Sequence, residues 1–370
     1  MYIVIAILMF GVLIAIHEFG HFATEKACRV RVDEFSIGMG PAIFKKQKGE
    51  TQYSLRILPI GGYCAMGEDE ESEDPRAFPN QNFWKRLAIL CAGSFMNFLL
   101  GIVLIVIMYS GAEAFRAPII DDFLDGCAYN SADAFQAGDE FYSIDGNRIY
   151  LISDVSMFLE RGNGVYDIVM LRDGQKVEFN DMKLVPTIES EQGLKYGFVW
   201  GIERATFGVK CEYVWNTAKE FSRLVWLGLG DLIHGAVGVD EMAGPVGIVD
   251  MMNEVGSSAA STADAVYSML YFSAFIAINL AIMNMLPIPA LDGGRVFFMI
   301  VTVIFEAITK RKPDPKYEGY IHAGGMVLLL LLMGFALLAY VCSFFFYKVF
   351  AKYIDEEPVG EDDPLYGSRE

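Results

Sequence analysis

The chain has 370 residues, 54% of them hydrophobic, with a formal net charge of −18. So apolar a composition excludes an ordinary soluble enzyme of this length; the acidic residues read as solvated faces and a disordered end rather than as a cation-binding or nucleic-acid-excluding surface, and no nucleic-acid partner is expected. Its six cysteines lie far apart with no Cys-x-x-Cys pair, which excludes a disulfide framework and a thiolate zinc site.

The apolar residues gather in blocks long enough for membrane spans, at roughly 20 residues per helix. Residues 1–24 form the first. The run Met1–Ile16 has no basic n-region and no small-residue cleavage site after it, so it reads as a retained transmembrane helix rather than a signal peptide. Residues 25–83 are charged. Within them Ala42–Gln47 and Thr51–Ile57 flank Lys48-Gly49-Glu50 as a β-hairpin, Pro59-Ile60-Gly61-Gly62-Tyr63 breaks the pattern, and Glu68–Asp74 reads as an acidic loop. Residues 84–110 form the second span. A compact β-rich module follows over 118–190, with strands around 140–145, 165–171 and 176–179 and a helix near Ser153–Glu160. Residues 191–262 read as a linker with amphipathic segments. The third span, 263–294, is broken by Pro287 and Pro289, since proline removes a helical hydrogen bond and clashes with the preceding turn. A short apolar segment over 295–321 contains Lys310-Arg311-Lys312. The fourth span covers 322–350, and 351–370 is an acidic tail expected to be disordered. Basic residues concentrate after the first span and between the third and fourth, which places those loops in the cytoplasm and both termini outside. Fold class is thus a polytopic α-helical membrane protein of about four transmembrane helices, with a membrane-associated β-hairpin and one extracytoplasmic α+β domain.

The chemistry concentrates at His17-Glu18-Phe19-Gly20-His21. On a helix this spacing puts both imidazoles on one face, where they can share one Zn²⁺, with Glu18 beside them to take a proton from water. A charged group near the middle of a span costs about 2.5–3.5 kcal/mol on insertion scales, so such groups are functional by default. The bland alternative is a helix end at the inner interface. A catalytic zinc needs a third protein ligand. Asp292, in Leu291-Asp292-Gly293-Gly294 after the broken helix, is the candidate; an Asx-turn is the other reading. His234 and His322, the remaining histidines, read as ordinary. Asn279, Asn284 and Asn97 serve equally well as interhelical hydrogen bonders or as groups that hold substrate backbone.

These motifs resemble the site-2 protease family of intramembrane zinc metalloproteases, in its RseP-like, PDZ-containing bacterial branch. The resemblance rests on His17-Glu18-Phe19-Gly20-His21, on Asn284-x-x-Pro287-x-Pro289-x-Leu291-Asp292-Gly293-Gly294, on Gly244-Pro245-Val246-Gly247-Ile248 and on Gly61-Gly62-Tyr63. Ala137-Gly138-Asp139 and Ile144-Asp145-Gly146 fit a PDZ-like module. Gly93-Ser94 stands where the family often has Gly-Pro. The resemblance implies His17, His21 and Asp292 as zinc ligands, Glu18 as general base, and Asn279, Asn284 and Asn97 as substrate-contacting positions. It further implies a hairpin able to add a strand to unwound substrate and a PDZ-like filter outside. The setting it implies is a bacterial inner membrane. There the enzyme performs regulated intramembrane proteolysis of single-span proteins, such as anti-sigma factors or remnant signal peptides, after extracytoplasmic trimming. A metal-ion transporter and a non-enzymatic membrane scaffold are the rival readings.

Overall fold

The computed structural model describes residues 2–65, 73–131, 134–190, 193–235, 245–258, 261–310, 319–328, 330–331, 334–335 and 338. Most of the acidic loop at 68–74, Gly244, the fourth span beyond 338 and the tail at 351–370 lie outside them.

Helix α1 (Tyr2–Cys28) runs without a break, because in lipid each backbone polar group must be satisfied within its own segment. Strands β1 (Glu34–Lys48) and β2 (Thr51–Ala65) form the hairpin, turning at Gly49 with φ +64°. Their register doubles back. Residues 34–37 pair with 52–55 on one side and with 62–65 on the other, so 62–65 forms an edge of the sheet. Helix α2 (Phe83–Ser110) starts at Asn82, whose side chain accepts from the Lys85 amide. It crosses α1 in backbone contact: a Cβ on Gly20 would stand 2.5 Å from the Ala92 carbonyl oxygen.

The β domain comprises β3 (Ala114–Phe123), β4 (Glu140–Ile144), β5 (Asn147–Arg148), helix α3 (Ile152–Arg161), β6 (Val165–Arg172), β7 (Gln175–Lys183), the small pair β8 (Ile188–Ser190) and β9 (Gly193–Lys195), and β10 (Phe198–Arg204). Six of these make one sheet in the order β10-β3-β4-β6-β7, with β5 on β4. Alternate residues of β6, Tyr166, Ile168 and Met170, point inward onto Phe135, Phe141 and the α3 residues Val155 and Leu159.

Helix α4 (Phe207–His234) joins this domain to the membrane helices. Its Ala218 and Phe221 pack with Ile105 and Met108 of α2 and with Ala274 and Ile278. Another part of its surface grips α3: Arg223 donates to the fully buried Asp154 at 2.9 Å, and Arg161 pairs with Asp231. Helix α5 (Pro245–Ser258) sets Met252 against α1 and α6 (Thr262–Asn284). Helix α7 (Asp292–Thr309) follows the proline break, and residues 319–328 are again helical. Among the described residues three helices, α1, α2 and α6, are long and apolar enough to cross a membrane. With the β sheets they make a polytopic membrane protein carrying a β domain.

The α3–α4 contact should respond to pH. Burial pushes the Glu220 carboxyl up to about 7, with Asp154 adding to the effect while Ser153 and Arg223 oppose it. The folded state therefore binds this proton more tightly than the unfolded chain does. Stability from Glu220 is full below about pH 4.5 and falls as pH rises to about 7, by on the order of 3 kcal/mol. Glu220→Gln should be the more stable protein at pH 8 and lose that advantage towards pH 4.5. Hydrogen exchange across 150–161 and 207–234 reads this, and identical pH profiles for the two proteins would refute it.

Candidate metal centre

Helix α1 places His17 and His21 one turn apart, with ring centroids 4.9 Å apart and planes at 83°. Asp292, the first residue of α7, closes the group. Its Oδ2 lies 3.1 Å from His17 Nε2 and 3.3 Å from His21 Nε2, and the two Nε2 atoms are 3.3 Å apart. Ligands about 2.0–2.1 Å from a tetrahedral zinc are roughly 3.3–3.4 Å from one another, so this triangle has the size of one face of such a tetrahedron. Among the described residues it is the one cluster of three with this donor chemistry.

The surroundings favour a cation there. His21 Nδ1 donates to the Ile89 carbonyl at 2.8 Å, which leaves the Nε2 lone pair facing inward. The Asn97 amide lies 3.5 Å from His17 Nδ1, and its Oδ1 is buried without a partner. Turning that amide over brings Oδ1 to His17 Nδ1–H, which frees the second Nε2 in the same way. Two lone pairs and a carboxylate then converge with no proton between them. The residues fit a zinc ion.

Local sequence explains how these groups meet. Pro287 and Pro289 lack the N–H that a continuing helix needs, so α6 ends at Asn284. Ala290 takes φ +76°, a left-handed conformation unusual for alanine, and its N–H donates to His322 Nδ1 at 3.1 Å. The turn delivers Asp292 to α1. Helix α2 supplies the wall behind the imidazoles: a Cβ on Gly93 would collide with both His17 and His21. Glu18 stands beside the group of three. The Cys64 backbone amide hydrogen-bonds its carboxylate, and a Cβ on Gly62 would stand 3.2 Å from its Cγ. The 62–65 edge of the hairpin thus holds this side chain.

Asn279 and Asn284 are half-buried on α6 and donate nothing to the three clustered residues. His234 is exposed at the end of α4, bonded to the Gly230 carbonyl. Sequence reasoning passed over three contributors: His322 as the support of the turn, the Ile89 carbonyl and the Cys64 amide. The last two are backbone groups and carry no residue-type signal. For His322 the small-residue run after it was the available clue.

The model of peptidase family M50 matches residues 5–332. A protein of Clostridium acetobutylicum provisionally named a zinc metalloprotease is 35% identical over 90% of this chain and 94% of its own length. One with the same provisional name from Clostridium perfringens is 33% identical, over 94% and 99%. The zinc metalloprotease RasP of Bacillus licheniformis is 27% identical, over 88% and 95%. With the family matched along nearly its whole length and a zinc-sized donor triangle held against its membrane helices, the chain belongs to peptidase family M50, the site-2 proteases, and is a multi-pass membrane zinc metalloprotease.

Proposed function

We propose that the protein cleaves single-span membrane proteins within the bilayer after their extracytoplasmic part has been trimmed, at a centre where His17, His21 and Asp292 hold the zinc. The observation that carries this reading is the convergence of those three donors from two helices, one of them a span, within 3.1–3.3 Å of one another. When bound, zinc supplies the Lewis acid that polarises the scissile carbonyl and acidifies water. Glu18, held by the Cys64 amide, accepts the proton from the attacking water and passes it to the leaving amine. Asn97 and the Ile89 carbonyl keep the imidazoles in their binding tautomer. Asn279 and Asn284 are the positions for holding the carbonyls of unwound substrate, with Asn97 a further such position beside His17. The 62–65 edge of the hairpin, next to Glu18, is placed to pair with that extended chain. In this reading the domain at 118–190 is a PDZ-like filter outside, 322–350 is the fourth span, and the substrates include anti-sigma factors and remnant signal peptides at a bacterial inner membrane.

The test is reconstitution in lipid vesicles with one single-span substrate in trimmed and untrimmed forms. The trimmed form should be cut at least tenfold faster. A zinc chelator should remove more than 99% of the activity, and added Zn²⁺ should restore it. Equal rates for the two forms would end the trimming proposal, and no cleavage of either by zinc-loaded protein would end the protease reading.

A further inference from the structure

A cavity of about 480 Å³ opens between α2, α4 and α6. Cys91, Ser94 and Phe98 line it from α2, Trp226 from α4, and Met285 and Leu286 from the end of α6. It shares two walls with the metal centre. Ser94 follows Gly93, which backs both imidazoles, and Met285 and Leu286 press on the turn at Gly293, next to Asp292.

The walls are apolar with one exception that matters. Ser94 is 3% exposed, and its Oγ has no hydrogen-bond partner. A serine inside a helix usually satisfies itself on the carbonyl four residues back. Ser222, across the same cavity, does so on Ala218 at 2.7 Å. Ser94 does not, so a buried hydroxyl is kept ready for an acceptor at a standing cost to the fold. An acyl chain offers no such acceptor in its hydrocarbon part, whereas an unwound peptide offers carbonyls next to its side chains.

We propose that this cavity is a substrate subsite: it receives a bulky apolar side chain next to the scissile bond, while Ser94 Oγ–H donates to a main-chain carbonyl of the bound segment. This rests on the protease reading above and adds to it the side-chain class that the enzyme selects. Trp226 sets the size of the subsite. Because it sits on the helix that Arg223 and Asp231 tie to the β domain, the β domain helps to hold the wall that reads substrate.

The experiment uses the zinc-loaded full chain and a cleavable single-span substrate carrying Ala, Leu or Phe in turn at each of three positions on either side of the mapped cut. Wild type should prefer Leu or Phe over Ala at one position by about tenfold in kcat/KM. Ala281→Phe, which fills the cavity, should lower that ratio at least fivefold. Trp226→Ala, on the exposed side of α4, should shift preference from Leu to Phe. Ser94→Ala should raise KM about tenfold while Tm stays level or rises, because it removes an unsatisfied hydroxyl, and Ser94→Thr should restore KM. A residue of structural role only would move Tm and would not be rescued. Cleavage by wild type with no side-chain preference, or ratios unchanged in both cavity variants, would overturn the subsite and leave the protease intact. Co-purified phospholipid lost from Ala281→Phe with an unchanged ratio would assign the cavity to an acyl chain and overturn it equally. No cleavage of any substrate by wild type would overturn both readings together.

Discussion

Glu18→Gln is expected to abolish cleavage while leaving the protein folded and zinc-loaded. The substitution keeps the shape of the side chain and an oxygen for the Cys64 amide, so the 62–65 edge stays in place beside it. What it removes is the carboxylate proposed to take the proton and give it back. One positioned acid or base contributes about 10²–10⁴ in rate, and the proposed mechanism uses Glu18 in both capacities, so the loss should be at least 10³-fold. Zinc content should remain at one per chain, because the donors proposed to hold the metal are His17, His21 and Asp292. The measurement pairs metal analysis with the rate of stub conversion in vesicles. A variant within tenfold of wild type would mean that the proton is carried by another group.

Asp292→Ala should have the opposite signature, with loss of the metal itself. Its carboxylate is the only charged donor of the three and is 3.1 and 3.3 Å from the two Nε2 atoms. Without it two neutral imidazoles remain, and zinc held by protein is ordinarily bound through three or four ligands. Affinity should fall by more than 100-fold, and activity should fall with it. Neither remaining histidine is placed to replace it: His322 Nδ1 accepts from the Ala290 N–H and supports the turn, and His234 is at the C-terminal end of α4, against the Gly230 carbonyl. Full zinc occupancy in Asp292→Ala at micromolar metal would show that the third ligand comes from elsewhere. The two variants separate holding the metal from using it: one protein should be loaded and inert, the other folded and empty-handed in a chelator competition.

Much of this was legible along the chain. Apolar runs of span length marked α1, α2 and α6, because the bilayer imposes a length that composition alone reveals. The hairpin followed from Lys48-Gly49-Glu50 between strand-forming runs, and Gly49 does take the left-handed turn conformation. The break after Asn284 followed from Pro287 and Pro289. Other features were not legible. The doubled register that makes 62–65 an edge depends on how β2 bends. The pairing of β10 with β3 joins strands more than 70 residues apart, and no local pattern encodes such a partner. Residues 191–262 read as a linker with amphipathic segments, and the bounds of helix α4 within them were not legible, because its surface is shared between the membrane helices and α3.

Taken alone, the order of residues determined which groups were present and which local shapes they would take: two histidines one helical turn apart, a carboxylate after a proline break, spans of the right length. Those are properties of neighbours in the chain, governed by helical periodicity, backbone sterics and burial in lipid. Only the tertiary structure decided that Asp292 meets His17 and His21, that Gly93 lets the imidazoles lie against α2, and that Ser94 faces a cavity beside them. Such meetings join segments remote in sequence. They are set by the packing of whole helices, in which each contact is weak and only their sum selects one arrangement.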